Sequence, residues 1–106
     1  MHGDLQNILA ELRHHFEALY GSRFVKLVLF GSQARGDAEP GSDIDVLIVL
    51  QGPVNQGDES ARALNFIADL SLRFNTVVSC VYMDEERFLH RNGPLLRNIR
   101  REGILV

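Results

Sequence analysis

The chain has 106 residues, enough for one compact domain with its own core but too few for a second lobe, so residues 1–106 are expected to form a single unit. A hydrophobic share of 45% and a charged share of 24% are ordinary for a soluble globular domain. A net charge of -3 leaves no basic surplus to displace counterions, so nucleic acid is disfavoured as the main ligand, and the single cysteine, Cys80, excludes an internal disulfide.

Leu5, Ile8, Leu9, Leu12, Phe16 and Leu19 recur at helical spacing, with Asp4 placed to cap the helix and Gly21 to end it. His14 and His15 project about 100° apart on that helix, which suits a solvated face better than a shared metal. Phe24 to Phe30 reads as a buried strand closed by Gly31, and residues 33–35 as one helical turn before Gly36. Asp37 to Ser42 is a polar loop, Ile44 to Leu50 a second buried strand, and Gln51 to Gly57 a flexible connection. Asp58 to Arg73 is a second long helix, expected to turn Ala61, Leu64, Ile67, Ala68 and Leu72 toward the core. Thr76 to Tyr82 is a valine-rich third strand that places Cys80 among core residues. Asp84 can cap a short helix, Pro94 starts a last helix running to about Glu102, and Ile104 to Val106 can add an edge strand. Arg97, Arg100 and Arg101 give that last helix a basic face. Helices alternate with strands, so the expected class is α/β, a small mixed sheet with helices packed on it.

Two short segments carry chemistry. In Gly31-Ser32-Gln33-Ala34-Arg35-Gly36 a strand breaks into a helical turn at a glycine, which lets a ligand approach the backbone. The amides around Ser32, its hydroxyl and the Arg35 guanidinium are then candidate phosphate contacts. In Ser42-Asp43-Ile44-Asp45, period-two alternation puts both carboxylates on one strand face, where a divalent cation such as Mg2+ relieves their repulsion. Two such ions about 3.5–4 Å apart can activate an attacking oxygen and stabilise a leaving pyrophosphate. Both segments can meet one triphosphate only if the first two strands are adjacent and antiparallel. Arg35 pairing with Asp37 or Glu39 and Ser42 merely orienting Asp43 are the simpler readings of those two residues.

These residues, Gly31-Ser32, Ala34-Arg35-Gly36 and Ser42-Asp43-Ile44-Asp45 followed by an apolar strand, resemble the minimal nucleotidyltransferases of the DNA polymerase β superfamily. That group includes antitoxin-like proteins encoded beside HEPN-domain partners in prokaryotes. The motif spans about a quarter of the chain, and the element order fits across most of it. The resemblance implies a polymerase β-like core that binds a nucleoside triphosphate, usually ATP. It also implies Mg2+-dependent transfer of the nucleoside monophosphate to an acceptor, here a small helical HEPN-domain protein. By carry-over Gly31 and Ser32 bind phosphate, with Arg35 and Ser42 beside them, and Asp43 and Asp45 are the catalytic metal ligands.

The departure from the family lies in the third strand, where catalytic members carry a third acid. Asn75-Thr76-Val77-Val78-Ser79-Cys80-Val81-Tyr82 contains none. Ser79 best matches that degenerate position and Asn75 is the next candidate; a serine hydroxyl is a poor base and a weak Mg2+ ligand. Asp84 and Glu85 follow about 17 Å further along the strand, and Asp69 sits on a solvated helix face. A transferase with a reduced metal site, completed by a partner or acceptor, and a nucleotide-binding antitoxin that acts by complex formation alone both remain open, as does an oligomer. The longest apolar run, Val46 to Leu50, is too short to span a bilayer, and Met1-His2-Gly3-Asp4 lacks a leader pattern, so a cytoplasmic protein is expected.

Overall fold

The computed structural model describes residues 4–106; Met1, His2 and Gly3, part of the stretch read for a leader, lie outside the described residues. Five α-helices and four strands follow in the order α1 (Leu5–Tyr20), a 3-10 turn (Gly21–Arg23), β1 (Phe24–Phe30), α2 (Ser32–Arg35), β2 (Ile44–Leu50), α3 (Gln56–Phe74), β3 (Val78–Asp84), α4 (Glu85–His90), α5 (Pro94–Glu102) and β4 (Ile104–Leu105). The sheet order is β3-β2-β1-β4, with β2 and β3 parallel and the other neighbours antiparallel. This is the expected mixed α/β sheet, and β1 and β2 are the adjacent antiparallel pair that a joint site requires.

Period-two alternation gives the sheet two faces. Ile44, Val46, Ile48 and Leu50 of β2, with Leu27 and Leu29 of β1, pack under α1 and α3 in the larger core. Leu47 and Val49 of β2, with Val28 of β1, pack against Phe88 of α4 and Leu96 and Ile99 of α5. Helix α1 buries the stripe read from its sequence, Leu5, Ile8, Leu9, Leu12 and Phe16, whereas Leu19 is exposed. Gly21, at φ +55°, ends it, and its amide donates to the Glu17 carbonyl. Asp84 caps α4 by accepting from the Arg87 amide at 2.8 Å, and Pro94 opens α5.

Further expectations are corrected: α3 begins at Gln56, two residues before the reading, and Asp4 sits at the N-cap of α1 without a side-chain cap hydrogen bond. Helix α3 buries Ala63 and Leu70 and half-buries Phe66 and Ile67, while Ala61, Leu64, Ala68 and Leu72 face outward. The core-facing stripe begins at a carboxylate: Glu59, 4% exposed, accepts from the Tyr20 hydroxyl at 2.8 Å. Strand β3 begins and ends two residues later than read, because Asn75 is the left-handed cap of α3 (φ +49°) and the Thr76 amide still bonds to the Ser71 carbonyl. His15 is half-buried instead of solvated; its ring stacks on Phe66 at 3.8 Å between centroids, and burial, then the neighbouring His14, pushes its pKa down.

Candidate active site

Strand β1 stops at Gly31, which holds φ +76° and ψ -158°, a conformation costly for any residue with a Cβ. A Cβ there would also collide with the Asp45 Oδ2 atom. The positive φ demands glycine, and the close approach shows that the two motif segments touch: the Asp45 carboxylate lies against the Gly31 backbone. Register explains the contact, since Phe30 is the β1 partner of Asp45. On the other side Asp45 is in register with Ser79 of parallel β3, the position matched to the missing acid. All three lie on the sheet face shared with Leu47 and α5.

After Gly31 the chain closes a single turn. Ala34 and Arg35 donate to the Gly31 carbonyl at 3.1 Å, and Gly36 donates to that of Ser32 at 3.0 Å. Gly36 then ends the turn at φ +83°. Gln33 in this turn is buried although polar. Arg35 projects from it to Asp37 at 3.2 Å and to Glu102, at the end of α5, at 3.3 Å. Those two carboxylates push the guanidinium's pKa up and hold it charged. Glu102 was invisible to motif reasoning, because the contact spans 67 residues. The loop returns through Gly41, at φ +84°, and the Ser42 amide donates to the Glu39 carbonyl at 3.0 Å. The Ile44 amide bonds to the Val77 carbonyl at 2.9 Å, which locks Asp43 and Asp45 to the start of the β2–β3 pair.

Asp43 is exposed and Asp45 half-buried. Burial, then the charge of Asp43, pushes the Asp45 carboxyl above its usual range, and Arg35 partly offsets this. Neither aspartate forms an ion pair or side-chain hydrogen bond among the described residues. The site therefore stores repulsion that a cation would relieve. No group of three or more His, Cys, Asp or Glu placed to hold a metal occurs among the described residues. Mg2+ commonly uses one or two carboxylates and completes its shell with water and substrate phosphates, so Asp43 and Asp45 fit that ion in company with a triphosphate. Asn75, the second candidate for the third acid, caps α3 instead of extending β3. Asp84 pairs with Leu50 at the opposite end of the strands, and Asp69 is bound to Arg73 at 2.8 Å.

The chain is similar to several known proteins. The sequence model of the family "Nucleotidyltransferase domain" matches residues 8–106. A candidate protein adenylyltransferase of Methanocaldococcus jannaschii, MJ0604, is 32% identical over 100 residues, covering 92% of this chain and 93% of that protein. The solved structure of a candidate minimal nucleotidyltransferase superposes with a TM-score of 0.61 at 23% identity, covering 99% of this chain and 98% of that one. A chain of a toxin–antitoxin crystal structure with AMP-PNP superposes with a TM-score of 0.62 at 16% identity, covering 93% of this chain and 69% of that one. No helix among the described residues is long and apolar enough to cross a membrane. With Asp45 seated against Gly31 on a β1–β2 pair of this fold, the chain belongs to the nucleotidyltransferase domain family.

Proposed function

We propose that this protein binds ATP with Mg2+ and transfers AMP to a protein acceptor, as the antitoxin of a HEPN-domain toxin. The observation that carries the reading is the contact of Asp45 with Gly31, which makes one site of the phosphate turn and the acidic pair. The start of a helical turn leaves its first amides without internal acceptors, so Ser32 and Gln33 can donate to phosphate oxygens. Arg35, already close enough to Asp45 to lower its pKa, can exchange Asp37 and Glu102 for the triphosphate. Asp43 and Asp45 would hold Mg2+, which when bound neutralises charge on the phosphates. In the transfer an acceptor hydroxyl oxygen bonds to the α-phosphorus, the bond from that phosphorus to the bridging oxygen breaks, and pyrophosphate leaves; the hydroxyl proton passes to water. The name of MJ0604 supports a protein acceptor, and the toxin–antitoxin assembly with AMP-PNP supports the nucleotide and the partner.

A second reading, nucleotide binding with neutralisation by complex formation alone, is favoured by one observation. Ser79, not an acid, stands in register with Asp45, and a hydroxyl adds neither charge nor basicity there. Incubation with labelled ATP, Mg2+ and the co-encoded partner decides between them. Label on the partner, lost in Asp43→Asn with the complex intact, is the expected result. A complex that neutralises the toxin with no label on any acceptor overturns the transferase reading.

A further inference from the structure

The face of α3 turned away from the sheet carries an apolar stripe beside the exposed Asn65. Ala61, Leu64, Ala68 and Leu72 follow at spacings of three, four and four, which draws one stripe along the helix. All four are exposed, Leu64 at 64% and Leu72 at 83%. Contiguous exposed apolar surface is a common mark of an interaction face. The free edge of β3 beside it is already partly closed: the Gln56 amide donates to the Cys80 carbonyl at 3.1 Å and accepts from the Tyr82 amide at 2.8 Å. That guard disfavours strand addition here and leaves the helix face as the docking element.

The stripe is complementary to itself when read backwards. If two α3 helices run antiparallel about a two-fold axis near residue 66, Leu64 of one copy meets Ala68 of the other, and Leu72 meets Ala61. Each large side chain then opposes a small one, the condition for close packing. The same operation acts on charge. Arg62 and Asp69 lie on one flank of the stripe, about 20° apart around the helix, and like flanks face each other in an antiparallel pair. Arg62 of each copy thereby comes opposite Asp69 of the other. Both side chains are well exposed, at 60% and 64%, and within the chain they touch only neighbours on their own helix, Glu59 at 3.3 Å and Arg73 at 2.8 Å.

We propose that α3 docks a second copy of this chain as an antiparallel, two-fold symmetric helix pair. A two-fold contact is self-complementary by construction, and this stripe meets that condition in both size and charge. Ala63 and Leu70 on the opposite side of α3 face the larger core, on the sheet face away from Asp43 and Asp45. Both candidate active sites therefore stay open in the dimer, and the inference is independent of their chemistry.

Sedimentation equilibrium of the whole protein across micromolar to millimolar concentrations tests it. A monomer–dimer equilibrium is expected, with Leu64→Asp weakening association by about a hundredfold or more, since each dimer loses two buried leucines. Both leucines are solvent-facing, so circular dichroism should show the variant folded. Charge provides the specific arm: Arg62→Asp and Asp69→Arg each weaken self-association, yet the two variants mixed together form a heterodimer in which both pairs are restored. A monomer at every concentration overturns the proposal, as does a dimer indifferent to Leu64→Asp or a mixture that fails to associate.

Discussion

The two ends of the β2–β3 pair are both acidic, and only one has the form of a site. At the far end Asp84, Glu85 and Glu86, with Gln51, Gly52 and Pro53, line a cavity of about 520 Å3. Its acids are structural: Asp84 accepts from the Arg87 amide, lies 3.4 Å from its guanidinium, and is followed by Glu85 and Glu86 in the first turn of α4, where negative charge is stabilising. At the near end Asp43 and Asp45 have no such partners among the described residues. Burial and mutual repulsion push Asp45 up, and its carboxylate lies against the Gly31 backbone. Cavity size and acid count thus favour the far end, whereas unrelieved charge beside a backbone open to a ligand favours the near end as the candidate site.

The largest effect that would break this contrast comes from neutralising each end in turn. Asp43→Asn with Asp45→Asn should lower Mg2+-dependent ATP binding by about a hundredfold or more, measured by calorimetry. The melting temperature should hold or rise, because repulsion is removed. Asp84→Ala should leave ATP binding unchanged and cost about 1 kcal/mol of stability through the lost cap. Gly31→Ala comes next: positive φ and the collision with Asp45 should cost about 2–3 kcal/mol in denaturant unfolding and weaken ATP binding as Asp45 is displaced. Ser79→Asp sharpens the near end by supplying the absent acid. It should tighten Mg2+ in the presence of ATP about tenfold while lowering metal-free stability, as a third carboxylate joins the two. No change in Mg2+ affinity would show that Ser79 is not the third-acid position.

The smallest effect lies away from both ends, at His15. The folded protein holds its pKa below the usual value, so the unfolded chain binds the extra proton. The His15 contribution to stability is therefore full above about pH 6.5 and is lost as pH falls toward the folded value. His15→Phe should flatten the decline in melting temperature between pH 7 and pH 5.

Much of this was legible in the chain. Glycines and prolines punctuate it, apolar runs mark β1 and β2 to the residue, and the spacing of Gly31 to Asp45 marks a candidate site whose two segments the fold brings into contact. Helix α3 was not legible, for a physical reason: it carries two apolar stripes of the same period. Ala63 and Leu70 face the core, and Leu64 and Leu72 do not. Periodicity detects a stripe without saying what it faces, and buried Glu59 disguises the true one by satisfying its charge through Tyr20 and Arg62. Glu102 beside Arg35 and Gln56 on the β3 edge escaped notice because each contact joins segments distant in sequence.

The register of β1 on β2 also bears on the order in which the molecule assembles. Gly31 and Asp45 are brought together by a hairpin whose connection is only the α2 turn and the short polar loop after it. Such local pairing closes at low entropic cost and belongs to the fast part of folding. Ser79 arrives only after the chain has travelled through α3 and returned as a parallel strand. Contact order therefore predicts that the phosphate turn and acidic pair condense as an early unit during synthesis, with the third position of the site completed last.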